Sequence, residues 1–165
     1  MTFSPVPKYS FRKLTDISPD FLGRLGIRFL MLDLDNTIAA YREHSAPDSI
    51  ARWAIEVKNC GVELFIVTNS ARKDRVSTFA EALGAGMVTG ARKPSPRNII
   101  LTMNKTGYGA GSSAFIGDQV FTDTIAANGA GVVSIIIKPR KLSNPFLALR
   151  YALEAPFRAM CKNRY

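Results

Sequence analysis

The chain has 165 residues, enough for one domain with a substantial core, and its 47% apolar and 21% charged residues exclude a disordered chain. Two cysteines, Cys60 and Cys161, and a single histidine, His44, exclude a disulfide scaffold and a zinc site of Cys/His spacing. The formal net charge is +9, and residues 138–165 carry seven Lys or Arg against Glu154 alone, a basic tail suited to an anionic partner: a membrane surface, a nucleic acid or a phosphorylated substrate.

Met1–Ser10 is polar and proline-bearing, without the charged and apolar regions of a signal peptide. No apolar run is long enough to span a bilayer; the charge-free stretch Thr124–Ile137 is broken by Asn128, Gly129 and Gly131. Ile27–Leu34 reads as a first strand, nearly all apolar and so buried on both faces. Ser45, with Asp48 three residues on, reads as a helix start. Ile50, Trp53, Ala54 and Val57 then recur at helical spacing, and Gly61 ends that helix. Glu63–Thr68 is a second strand. Ala71–Leu83 is a helix with Val76, Phe79, Ala80 and Leu83 inward and Gly84 as its stop. A short strand near Met87–Val88 precedes a helix from Ser95 or Pro96 to about Met103. Ala114–Ile116 is a fourth strand, Asp123–Asn128 a short helix and Val132–Ile137 a fifth strand.

Strands alternating with helices imply an α/β fold in three layers, a parallel sheet of about five strands covered on both faces. Ligands of such folds bind outside the carboxyl ends of the strands. There the polar residues gather: Asp33 and Asp35 after the first strand, Thr68 and Asn69 after the second, Lys93 after the third and Asp118 after the fourth. Asp is disfavoured in strands, and carboxylates brought together repel unless a cation sits among them. The pattern asks for a divalent metal. Plainer readings exist for single residues. Thr68 can be an ordinary strand-end residue, Lys93 beside Arg92 a solvated pair, and Asp123 the cap of the helix that begins there.

These motifs resemble the haloacid dehalogenase (HAD) superfamily of phosphohydrolases. Its four parts occur in order: Asp33-Leu34-Asp35-Asn36-Thr37, then Thr68, then Lys93, then Gly117-Asp118 followed by Asp123. Ala91-Arg92-Lys93-Pro94 and Gly117-Asp118-Gln119-Val120-Phe121-Thr122-Asp123, with Pro7–Tyr9 and Asp16-Ile17, are similar to the subgroup of bacterial YqeG proteins and the mitochondrial phosphatidylglycerophosphate phosphatase. The resemblance implies a Rossmann-like HAD fold over residues 25–140, after an N-terminal extension (1–24) and before a basic tail (141–165). It implies Asp33 as nucleophile and metal ligand, and Asp35 as general acid then base, with its backbone carbonyl on the metal. Asp118 is a further ligand, with Asp123 supporting the metal. Thr68, Lys93 and the backbone around Asn69 bind the phosphoryl oxygens, and the cofactor is Mg²⁺.

Between Asp35 and Thr68, and between Thr68 and Asp118, no insert is large enough to fold as a cap domain. The site is therefore expected to be open, and suited to a large or surface-bound phosphate ester. In the tail, Phe146, Leu149, Leu153, Phe157 and Met160 form an apolar stripe at helical spacing that can lie in a membrane interface or pack on the domain, with Pro156 expected to split the segment. The leading expectation is a cytoplasmic phosphatase, peripheral on the inner membrane face, acting on phosphatidylglycerophosphate, with no nucleic-acid partner. The alternatives are a phosphatase of soluble esters or phosphoproteins, and a non-enzymatic nucleic-acid or ribosome binder using the basic tail.

Overall fold

The apolar strands form the middle of the molecule. The computed structural model describes residues 4–142 and 145–165. Seven parallel strands make one sheet: β1 (Tyr9–Phe11), β2 (Phe29–Leu32), β3 (Glu63–Val67), β4 (Gly86–Val88), β5 (Ser113–Gly117), β6 (Val133–Ile137) and β7 (Asn163–Arg164), in the order β4-β3-β2-β5-β6-β1-β7. β2 lies between β3 and β5, with Leu32 opposite Ile66 on one side and Ile116 on the other. From β2 the chain winds outward through β3 and β4. It then returns to β2's other flank at β5 and continues to β6, so the winding reverses between β2 and β5. That reversal is where an open α/β sheet leaves a crevice at its carboxyl edge.

Side chains alternate across the strands and feed two cores. Leu30, Leu32, Leu64 and Ile66 pack with Trp53 and Val57 of α2 (Asp48–Asn59) and with Val76 and Phe79 of α3 (Lys73–Leu83). Phe29, Met31, Phe65 and Phe115 face the other way, against Ile99 and Met103 of α4 (Arg97–Thr106) and Ala126 and Ala127 of α5 (Ile125–Ala130). Trp53 is a core residue whose indole N–H donates to the Ile17 carbonyl at 2.7 Å. The remaining helices are α1 (Pro19–Arg24), capped by the Ser18 side chain, and α6 (Pro145–Ala159).

The five expected strands are present, and the sheet holds two more. β1 comes from the segment before residue 25 and pairs with β6, while β7 comes from the tail and pairs with β1. At three and two residues they are too short to leave a periodic signal. Tyr165 stacks on Phe11 beside this pairing, ring centroids 4.9 Å apart. Among the described residues no cap domain is inserted, and α2 is the one helix between β2 and β3.

Three local expectations are corrected. α2 begins at Asp48 after Pro47 and takes no side-chain cap, so Ser45 is not its N-cap. The helix expected from Ala71 starts at Lys73. Pro156 does not split the tail, since α6 runs unbroken through it. A proline costs one helical hydrogen bond, and tertiary bonds from the same turns offset it. Arg158 donates to the Ile137 carbonyl at 3.0 Å and to the Asp118 carbonyl, and Glu154 accepts from the Phe121 N–H at 3.2 Å. α6 thus docks through polar side chains. Glu154 is 1% exposed while Phe146 is 71% exposed, and Leu149, Leu153 and Met160 also face outward. Only Phe157 of the stripe turns in, packing edge-to-face on Phe121 at 5.6 Å. Among the described residues no helix is long and apolar enough to cross a membrane.

Candidate active site

β2 delivers Asp33 and Asp35 directly over the crevice. The chain turns at Asn36, which takes φ +62°, a left-handed conformation that Asn tolerates better than most residues. The turn is closed by the Asn36 N–H donating to the Ala39 carbonyl at 2.7 Å. β5 delivers Asp118 on the other side of the reversal point. Val120–Thr124 then forms a π-helical turn leading into α5, and that turn aims Asp123 back at the strand ends.

Asp33, Asp118 and Asp123 each offer a carboxylate oxygen, and these atoms lie within 4.8 Å of one another. The ammonium of Lys93 bridges two of them, 2.7 Å from Asp33 Oδ1 and 2.8 Å from Asp123 Oδ1, and sits 4.8 Å from the centre of the Phe115 ring. Lys93 is thus a buried ion-pair partner rather than half of a solvated pair with Arg92. Its backbone is clasped at two points by Asn69, whose Oδ1 accepts the Lys93 N–H at 2.8 Å and whose Nδ2 donates to the Lys93 carbonyl at 3.0 Å. The Asn69 side chain is thereby committed to placing Lys93. The Thr68 hydroxyl accepts the Ser70 N–H at 3.1 Å and faces the same cavity.

Asp123 uses its other oxygen, Oδ2, to accept the Gln119 N–H at 3.0 Å, so one carboxylate both secures the turn and joins the acidic cluster. Gly117 permits this approach. A Cβ there would fall 2.3–2.4 Å from the Asp123 side chain, inside any allowed contact.

Asp35 points elsewhere. Its Oδ1 accepts from Arg75 Nη1 at 2.9 Å, and Arg75 also donates to the carbonyls of Ala40 and Glu43, at 3.1 Å each. The Asp35 carboxylate therefore stands beside the acidic cluster and outside it. Sequence reasoning missed Arg75. It sits in α3, forty residues from its partner, at a position where helical spacing offers no hint of an ion pair. His44 is an exposed loop residue.

Burial pushes the Asp33 carboxyl up to about 6; Lys93 opposes the rise and Asp123 adds to it. Burial likewise holds Asp118 well above the usual carboxylate range, with the charges of Asp123 and Asp33 adding to the effect. For Lys93, burial favours the neutral amine, but Asp123 and Asp33 outweigh it and the net direction is up. Asp33 and Asp123 share one ammonium, Asp118 lies beside them, and Asp118 Oδ1 is buried with no hydrogen-bond partner among the described residues. A hard cation with oxygen ligands satisfies both deficits, so the residues present can hold a metal ion. Above them opens a cavity of about 570 Å³, walled in part by Tyr41, Arg72, Phe146 and Arg150.

A parallel sheet with acidic strand ends around one lysine defines the class, a HAD-type phosphohydrolase. Solved structures agree on the fold. A protein described as a HAD superfamily (subfamily III A) hydrolase from Legionella pneumophila aligns with a TM-score of 0.56 at 16% identity, covering 78% of this chain and 73% of that one. The 3-deoxy-D-manno-octulosonate 8-phosphate phosphatase from Moraxella catarrhalis, solved with magnesium and phosphate ions, aligns at 0.54 and 15% identity, covering 85% and 92%. The chain belongs to the mitochondrial PGP phosphatase family, which matches residues 4–140. It is also 28% identical over 142 residues to the "Probable phosphatase YqeG" of Bacillus subtilis (strain 168), covering 86% of this chain and 82% of that protein. The chain is a phosphatase.

Proposed function

We propose that this phosphatase hydrolyses phosphatidylglycerophosphate through an aspartyl-phosphate on Asp33, with Mg²⁺ as its ion. The observation that carries the reading is the gathering of the Asp33, Asp118 and Asp123 carboxylates within 4.8 Å of one another, with Lys93 paired to Asp33 and Asp123 beside an open cavity. Asp33, Asp118 and Asp123, with the Asp35 backbone carbonyl, would hold Mg²⁺, which when bound supplies positive charge against the phosphoryl oxygens.

The chain's own residues do the rest. An Asp33 oxygen attacks phosphorus, and the bond from phosphorus to the ester oxygen breaks. Asp35, oriented by Arg75 through Oδ1, gives the leaving oxygen a proton. Asp35 then takes a proton from water. The water oxygen attacks phosphorus, the Asp33–phosphorus link breaks, and inorganic phosphate leaves. Lys93 balances the charge on Asp33 and the phosphoryl group throughout. Thr68 and the Asn69 backbone N–H donate to phosphoryl oxygens.

The family supports phosphatidylglycerophosphate as substrate, and so does the surface beside the cavity. Phe146 is both exposed and part of the cavity wall, and the outward stripe of α6 continues from it among the basic residues of the tail. That surface suits peripheral contact with the inner face of an anionic bilayer, its headgroups presented to the site.

The test is phosphate release, with Mg²⁺ or with chelator, from phosphatidylglycerophosphate and from soluble phosphate esters. The wild type should require the ion and prefer the lipid, and Asp33→Asn should be inactive yet folded. Full activity in Asp33→Asn removes the nucleophile assignment. Preference for a soluble ester, with no sedimentation on anionic vesicles, removes the lipid.

A further inference from the structure

The cavity is much larger than a phosphoryl group, and its walls carry two cations that the hydrolytic steps leave unused. Arg72 stands immediately before α3, and Arg150 lies on α6, outside the residues that the family matches. Both line the cavity that holds Asp33 and Lys93. Neither is fully engaged. Arg72 Nη2 makes a long bond of 3.4 Å to the Tyr41 carbonyl, and no carboxylate pairs with it among the described residues. Arg150 Nε lies 3.6 Å from Glu154 Oε1, but that carboxylate already accepts from the Phe121 N–H at 3.2 Å and from Arg158 at 3.1 Å. A guanidinium carries five N–H donors in a planar fork that matches phosphate oxygens. Most of that capacity is unspent on both residues.

We propose that Arg72 and Arg150 form a second anion subsite, which recognises a further phosphate-type group on the substrate and selects doubly anionic esters over simple ones. The inference rests on the assignment of Asp33 as the phosphoryl acceptor, because that assignment puts the scissile phosphate on the cavity floor. In phosphatidylglycerophosphate the further group is the phosphodiester across the headgroup glycerol from the monoester. The deacylated headgroup carries the same pair of anions without the lipid.

Steady-state kinetics of the wild type, Arg72→Gln, Arg150→Gln and Arg150→Lys test this on three probes. These are p-nitrophenyl phosphate, glycerophosphoglycerophosphate, and phosphatidylglycerophosphate in phosphatidylcholine vesicles. Each Gln variant should lower kcat/KM for both doubly anionic probes, relative to p-nitrophenyl phosphate, by about tenfold, as expected for a lost charge-assisted hydrogen bond. The loss should fall mainly on KM, and Arg150→Lys should recover part of it. An unchanged ratio overturns the subsite, because the arginines would then act on fold or general catalysis alone. A fall confined to the vesicle substrate also overturns it, assigning the arginines to the bilayer surface. A wild type inactive on all three probes would instead sink the Asp33 reading, and the subsite with it.

Discussion

At the scale of single residues, the site depends on one missing side chain. Gly117 admits the Asp123 carboxylate where a methyl group would collide with it. Gly117→Ala should leave far-UV circular dichroism unchanged and lower phosphatase activity about 10–100-fold, the usual cost of displacing a group that supports a metal site. The raised Asp33 carboxyl makes a second prediction. Its folded value of about 6 exceeds the ordinary 3.8. Between those values the folded chain holds a proton that the unfolded chain has released, so stability falls as pH rises through the window. In urea titrations of chelator-treated protein, the wild type should lose stability relative to Asp33→Asn from about pH 4 to about pH 6; a flat difference refutes it. Much of this geometry was legible in the chain. Parallel strands deliver their carboxyl ends to one rim, so Asp33, Thr68, Lys93 and Asp118 had to be neighbours once the strands were recognised. Arg75 and Gly117's steric role were not legible. One depends on a contact forty residues away and the other on the path of a π-helical turn, and neither leaves a local pattern.

At the scale of elements, α6 is held on by its charged side chains. Glu154 has one oxygen on the Phe121 N–H and the other on Arg158, all within the fold. Glu154→Ala would leave the Arg158 guanidinium without its carboxylate and the Phe121 N–H without its acceptor, and should cost about 3 kcal/mol in a denaturant titration. It should also free the α6 segment to proteolysis ahead of the sheet. A loss below about 0.5 kcal/mol would mean that the apolar contacts alone dock the helix. The stripe in this segment was readable, but its direction was not. Hydrophobic spacing says which residues share a face, and it is silent on whether that face turns in or out. Here the buried carboxylate decides the matter and the apolar face is left outside. Pro156 misled for a related reason, since local propensity yields where tertiary bonds hold both sides of the break.

At the scale of the whole molecule, a metal ion held by the acidic cluster would add to stability. Three buried carboxylates outnumber the two cations beside them, Lys93 and Arg158, an imbalance that a bound cation would relieve. Saturating Mg²⁺ should therefore raise the free energy of unfolding by about 2.7 kcal/mol at a hundredfold excess over Kd, seen as a higher Tm. Asp118→Asn should abolish most of that gain, and an equal gain in the variant would place the ion elsewhere. The sheet has a further consequence at its borders. β4, on one side, is three residues long, and β7, on the other, is two. A foreign strand seeking free N–H and C=O groups to extend the ladder finds almost none in a row. Seven strands in register could template polymerisation, but borders this short leave little on which to nucleate a fibril.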